Sequence, residues 1–577
     1  MADDDKAMET NYMNIKSASP RRLAPTGRPA VRLVSVASIV LLALAAAGCG
    51  GGDSPTIGAE KVGCESLTGT SLAGGTVQSA QAIAAGSYTP PGQPAAIADL
   101  PAFCRVTVAM NPSPDSTVNV EVWMPRQNWN GRFLGNGSGG GAGAILYFTG
   151  LVEGLKRGFA TAITDLGTAP DPNQLIDHPE RWRDFGYRAN HEMTLAGKAL
   201  VSAYYQSPAR TSYFQGCSTG GQQALSLAQR YPDDYNGIVA GAPANNRTHL
   251  HTMFVSNLQA LNAPGALMSQ GKLNMVTGKV IAACAGTDGG SSTDAFLSDP
   301  RRCNFDPETL PKCTAVDNDT CLTAPQLLAL KATWNGPVNP RTGERIFTGL
   351  PLGSESAVFG LAFQGDTVFW PPQQLYMFKW ALGSTWNYTS FDFDHDMDAV
   401  DARLASSLNA NDTDLASFKA AGGKLMMFNG TADPGVPYQS SLEYYERVVQ
   451  AQGGDLPGTQ NFFRYYLVPG MGHCSSITGG PGVGDFGQPY SPYVPKDQSH
   501  DFLLKLVDWV ENKNTPDSIV ATRFADPAGT TVAMERPICT YPKMPTYQGG
   551  DATKATSFQC TDAPRNGVPI PAARYLN

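Results

Sequence analysis

The hexapeptide Gly216-Cys217-Ser218-Thr219-Gly220-Gly221 constrains this chain more than any other stretch. A short strand-like run, residues 212–215, precedes it, and a segment of helical spacing, 221–230, follows. Glycine tolerates the backbone angles and close approaches that a sharp strand-to-helix turn demands. G-x-S-x-G in that setting is the mark of a nucleophile elbow, with Ser218 exposed at the tip. The N–H of Thr219, at the helix start, can then donate to an oxyanion. A serine that merely sits in a turn is the plainer reading. The flanking strand and helix decide against it.

The rest of the chain supplies a matching frame. Strand-like stretches at 106–110, 118–124, 132–134, 160–165 and 237–241 accompany helix-like ones at 190–205 and 221–230. Such alternation predicts an α/β fold with a mostly parallel sheet covered on both faces. The rhythm breaks after Pro243. Residues 244–404 hold four cysteines, many Asp, Gly and Pro turns, and an aromatic patch: Phe359, Phe363, Phe369, Trp370, Tyr376, Phe378, Trp380, Trp386 and Tyr388. Strands at 424–428 and 462–468 and helices at 441–450 and 501–512 then resume the pattern. The 577 residues therefore read as one catalytic domain, 66–243 plus 405–577, with a lid inserted at 244–404.

Residues 1–48 read as a leader. Arg21, Arg22, Arg28 and Arg32 precede the apolar stretch 33–47, which is too short and wrongly flanked for a membrane span and fits a cleavable signal peptide. Gly48-Cys49, followed by Gly50-Gly51-Gly52, resembles a bacterial lipoprotein site, although Ala46 stands where such sites usually carry Leu. A lipid anchor to the outer membrane through Cys49 and ordinary cleavage nearby are both open. Residues 49–65 are Gly/Pro/Ser-rich and read as a tether. The destination is the periplasm, the outer membrane or the medium. With 42 basic against 50 acidic residues and no basic run interleaved with aromatics, no nucleic-acid partner is expected. Eleven cysteines, none in a CxxC pair, argue against a zinc ribbon. Setting Cys49 aside leaves an even number, read as disulfides of an exported chain, whose connectivity spacing does not settle.

A serine nucleophile needs a base and an acid. On α/β-hydrolase folds they follow the serine in the order acid, then histidine. Of seven histidines only His395, His473 and His500 lie well downstream. His473 follows the 462–468 strand through Pro469-Gly470-Met471-Gly472, where this fold presents its base. His395 sits in an acidic run and His500 before a terminal helix, so both read as surface residues. Asp433 lies in Asn429-Gly430-Thr431-Ala432-Asp433-Pro434, at the carboxyl end of the preceding strand. An Asp before Pro is common in turns, but its place one strand before His473 decides for the acid. Cys217 directly precedes Ser218, and Cys474 directly follows His473. If the serine and imidazole are within hydrogen-bond reach, these neighbours are close enough for a disulfide. Two separate motif readings thus predict one cross-link.

The segments GCSTGG, NGTADP and PGMGHC resemble those of the tannase/feruloyl esterase family, which includes MHETase. Gly131-Arg132-Phe133-Leu134 with its glycine cluster, the run 231–243 and Phe391-Asp392-Phe393-Asp394 also match, and the resemblance spans about 60–565. It implies an α/β-hydrolase serine esterase that cleaves small esters of aromatic acids under a lid, with no cofactor for the chemistry. It further implies disulfides Cys64–Cys104, Cys284–Cys303, Cys313–Cys321 and Cys539–Cys560, and Gly139 as the second oxyanion donor beside Thr219. Family members often hold calcium in an Asp-rich lid loop that starts directly after a cysteine. Here Ala285 replaces the first Asp after Cys284, and the spacing before Asp294 is about two residues longer. Asp288, Asp294 and the carbonyls of Gly290 and Phe296 remain for a structural calcium. Since that ion takes about six to eight oxygens, the site is weakened. MHETase grips a free carboxylate with a lid arginine. Here Arg345 and Arg403 bracket a lid stretch with no Arg, and Lys379 is its only cation. Phenolic esters such as gallates and ferulates therefore rank above mono(2-hydroxyethyl) terephthalate. A non-catalytic surface lipoprotein is the reading of another class, and the intact Ser218, Asp433, His473 and clamp cysteines argue against it.

Overall fold

Apolar runs scattered between Ser71 and Val468 pair into one ten-stranded sheet. The computed structural model describes residues 58–576 except 142, 169–171, 358–375, 477–479, 492–493 and 566. The leader, Cys49 and the aromatic residues Phe359, Phe363, Phe369 and Trp370 lie outside the described residues. The strands are β1 (Ser71–Leu72), β2 (Gly75–Ile83), β3 (Gly86–Tyr88), β4 (Ile97–Leu100), β5 (Phe103–Met110), β6 (Val118–Pro125), β7 (Arg132–Asn136) and β8 (Ala160–Thr164). They continue as β9 (Thr211–Cys217), β10 (Gly237–Gly241), β11 (Lys424–Gly430) and β12 (Phe463–Val468). Their order across the sheet is β1-β2-β5-β6-β8-β7-β9-β10-β11-β12, with β3 and β4 paired separately.

The sheet is mixed. Every neighbour pair from β8 to β12 is parallel, and every pair from β1 to β8 is antiparallel. Burial follows pairing. β8, β10 and β12 are buried at every position, as expected where helices cover both faces. β5 alternates buried with less buried residues, the pattern of a strand with one face on a core, and β2 is buried at Val77, Ala80 and Ile83, its register shifted between Val77 and Ser79. The expected parallel sheet thus describes the half that carries the elbow.

Helix α1 (Ala189–Tyr205) packs on β8, and α2 (Thr219–Arg230) follows the elbow. Between β10 and β11 come α3 (Arg247–Leu261), α4 (Gln270–Cys284) and α5 (Ala324–Asn335). Helices α6 (Tyr438–Ala451) and α7 (Phe502–Asn512) complete the layers, and β13 (Ser518–Phe524), β14 (Val532–Cys539), β15 (Lys543–Tyr547) and β16 (Phe558–Asp562) form two late hairpins. Described residues of the 244–404 segment share the cores of the sheet. Leu250, Met253 and Phe254 of α3 pack with Leu134, Tyr213 and Met426 of the sheet. Phe378 and Trp380 join a second core with Phe133 and Phe214.

The tether expected over 49–65 ends earlier than its boundary. The Glu60 N–H donates to the Arg126 carbonyl at 3.0 Å, the Glu60 carboxylate pairs with the Arg126 guanidinium, and Cys64 is buried and bonded to Cys104. These contacts tie residues 60–65 to β5 and to the end of β6.

Candidate active site

Strand β9 ends at Cys217 and α2 begins at Thr219, leaving Ser218 alone at the turn with φ 63° and ψ −120°. A non-glycine residue there stores on the order of 1–3 kcal/mol of strain, held by its surroundings. The turn is possible because its glycines admit backbone contacts. A Cβ on Gly216 would lie 2.4 Å from the Gly220 carbonyl oxygen, and one on Gly221 would lie 2.2 Å from that of Gly241. The Ser218 N–H donates to the Gly241 carbonyl at 3.0 Å, fixing the elbow to the carboxyl end of β10.

Asp433 and His473 meet on the loops after β11 and β12. Asp433 is fully buried, and its Oδ1 accepts the N–H groups of Gly435 and Val436 at 2.8 and 2.9 Å. Its Oδ2 accepts from His473 Nδ1 at 2.9 Å. A carboxylate braced in this way fixes the imidazole's orientation and leaves Nε2 for a nucleophile. Ser218 and His473 line one cleft, with Thr219, Gly140, Gly435 and Val436. Cys217 and Cys474 form a disulfide with Cα atoms 5.9 Å apart, so the loops of Ser218 and His473 are cross-linked. His395 is exposed, and His500 pairs with its neighbour Asp497 at 2.9 Å.

The glycine loop after β7 lies against the start of α2. Thr219 Oγ1 donates to the Gly140 carbonyl at 2.5 Å, and the Ser138 N–H donates to Gln223 Oε1 at 3.0 Å. Gly140 lines the cleft. Gly139 is half-buried beside it, with a Cβ position 3.1 Å from the Tyr490 hydroxyl.

Sequence reasoning missed a whole wall of the cleft. Arg247, Leu250, His251 and Phe254 line it from α3. Their spacing of three, four and seven residues is that of one helix face, and this was the available signal. The described part of the aromatic patch serves the core. Phe378 and Trp380 are buried in the core and Trp386 stacks on Phe378 at 4.8 Å, whereas Phe254 is the aromatic residue at the cleft. Arg345, Lys379 and Arg403 do not line it either. Arg403 donates to the Ala381 carbonyl at 2.7 Å, and Arg345 to that of Asn335.

In the loop read for calcium both carboxylates are braced by backbone N–H groups. Asp288 Oδ1 accepts the N–H groups of Gly286 and Gly290 at 3.2 and 3.0 Å, and its Oδ2 accepts that of Ser298. Asp294 Oδ2 accepts the Ser291 N–H at 3.0 Å, and its Oδ1 accepts from the buried Arg536 guanidinium at 2.7 Å. Burial raises both carboxyl pKa values. Among the described residues no cluster of three His, Cys, Asp or Glu side chains could hold a metal. Asp294 thus has a cation in Arg536, while Asp288 Oδ1 and Asp294 Oδ2 both face Gly290, 3.2 and 3.0 Å from where a Cβ there would stand.

All ten cysteines of the described chain are paired: Cys64–Cys104, Cys217–Cys474, Cys284–Cys303, Cys313–Cys321 and Cys539–Cys560. Such a framework belongs to chains that leave the reducing cytosol. The sequence profile described as "Tannase and feruloyl esterase" matches residues 104–561. An uncharacterized esterase of Xanthomonas campestris pv. campestris is 37% identical over 88% of this chain and 93% of its own. A probable feruloyl esterase B-2 of Aspergillus terreus is 31% identical over 82% of this chain and 91% of its own. The crystal structure of feruloyl esterase B from Aspergillus oryzae superposes with a TM-score of 0.79 at 27% identity, covering 86% of this chain and 99% of that one. The α/β-hydrolase fold and these likenesses agree: the chain belongs to the tannase and feruloyl esterase family of carboxylic-ester hydrolases.

Proposed function

We propose that this protein is an exported serine esterase that hydrolyses esters of phenolic acids, gallates or ferulates, through an acyl-enzyme. The observation that carries the reading is a single constellation. His473 is braced by the buried Asp433 in a cleft that Ser218 also lines. In this reading Ser218 Oγ attacks the ester carbonyl while His473 Nε2 takes its proton, and Asp433 holds the imidazole. The N–H groups of Thr219 and Gly139 stabilise the tetrahedral oxyanion, each worth about 3 kcal/mol. His473 returns the proton to the departing alcohol, and a water it activates releases the acid. Leu250, Phe254 and Val436 give the cleft an apolar lining suited to an aromatic ring. No cofactor enters the scheme.

A mono(2-hydroxyethyl) terephthalate hydrolase is the second reading. It needs a cation for the free carboxylate, and Arg247 is the cation at the cleft. That guanidinium is already engaged beside Thr219 and Gly140, which ranks the reading second. Anchoring through Cys49 remains a proposal of the same standing. The purified mature chain should hydrolyse methyl gallate, methyl ferulate or chlorogenate faster than mono(2-hydroxyethyl) terephthalate. A fluorophosphonate probe should label Ser218. Ser218→Ala should abolish turnover with the fold retained, and a variant keeping most of its activity would remove the serine from the mechanism.

A further inference from the structure

We propose that Arg247 is a positioning residue for the oxyanion hole, tying the Gly140 loop to the first turn of α2 and holding a fixed positive charge beside the reacting carbonyl. The proposal rests on the serine-esterase reading above. Arg247 is only 2% exposed yet lines the cleft of Ser218 and His473. Its Nη1 donates to Thr219 Oγ1 at 3.1 Å and to Gln222 Oε1 at 3.3 Å, and its Nη2 donates to the Gly140 carbonyl at 3.2 Å. Thr219 Oγ1 itself donates to that same carbonyl, so the three groups close a triangle. The guanidinium also lies over the Phe185 ring, 4.6 Å from its centre.

Nothing in the fold alone calls for this charge. Among the described residues no carboxylate pairs with Arg247, and an unpaired buried charge is costly. It stands at the first position of α3, where the helix dipole disfavours a cation. Burial lowers its pKa to about 9, which still leaves it charged at neutral pH. A cation kept against both penalties, hydrogen-bonded to the two segments that frame the serine, is of most use when the substrate oxygen becomes negative.

The test compares Arg247→Met, Arg247→Gln and Arg247→Lys in the full mature chain, with methyl ferulate as substrate and thermal melting as the fold control. The neutral variants should lose about 100-fold in kcat with KM within about threefold. Arg247→Lys, which keeps the charge, should recover about tenfold of that loss. The proposal is overturned if the neutral variants keep kcat within about threefold, if the loss falls on KM alone, or if Lys does no better than Met. Should Arg247→Met fail to fold, the Gln and Lys variants carry the same comparison. Ser218→Ala is run alongside. Activity retained there defeats the serine reading itself, whereas an inert Ser218→Ala with unimpaired Arg247 variants defeats this proposal alone.

Discussion

Two loops of this protein bury an aspartate by the same means and put it to different uses. Asp433 accepts two backbone N–H groups with one oxygen and turns the other to His473. Asp294 accepts the Ser291 N–H with one oxygen and turns the other to Arg536. In both, the amides offset the desolvation of a carboxylate that water no longer reaches. The partner makes the difference. In the proposed mechanism the imidazole takes and returns a proton, so its pairing with Asp433 serves a reaction cycle. A guanidinium stays charged, so Arg536 and Asp294 form a permanent ion pair that joins the 285–298 loop to β14. Buried acid plus backbone brace is therefore no functional signal until the third group is known.

The largest expected effect lies on the Asp433 side. Asp433→Ala should lower kcat by about 10⁴-fold, near 5.5 kcal/mol, because the imidazole loses its orienting acceptor. A loss below tenfold would move the acid to another residue and dissolve the contrast. Next comes the clamp. Replacing both Cys217 and Cys474 by Ala should cost about 5 kcal/mol of unfolding free energy, since the bridge closes a loop of 257 residues. Equal denaturant midpoints would show that packing alone holds the two loops.

On the other side, Arg536→Met leaves Asp294 buried without its cation and should cost about 3 kcal/mol of stability. Turnover per folded molecule should stay unchanged, and a fall in kcat would mean that this loop reaches the chemistry after all. The smallest effect is a chelator's. Dialysis against EDTA should leave the melting temperature within about 1 °C, because a ligand that does not bind the native state adds no stability. A drop of several degrees, reversed by calcium, would show that the ion displaces Arg536 and that the loop works as the family resemblance implies.

Much of the proposed centre was legible in local sequence. Ser218, Asp433 and His473 each lie on the loop that follows a parallel strand, on turns that glycine or proline punctuates, and such turns are written in a few adjacent residues. The cysteines next to Ser218 and His473 added a long-range constraint that most chains lack. The antiparallel edge was less legible. A register shift between Val77 and Ser79 breaks the two-residue alternation of β2, and β1 has only two residues.

By itself the sequence determined the elbow, the chain order of the proposed triad Ser218, Asp433 and His473, the α/β rhythm and the bridge between Cys217 and Cys474. These rest on short-range backbone chemistry and on a covalent bond between marked neighbours. Tertiary structure alone decided that one face of α3 walls the cleft, that Phe378 and Trp380 fill the core, and that Arg536 answers Asp294 across 242 residues of chain. Those outcomes depend on which side of a helix packs against the sheet and on which buried charge finds a partner. Both are settled only when distant segments exclude water together.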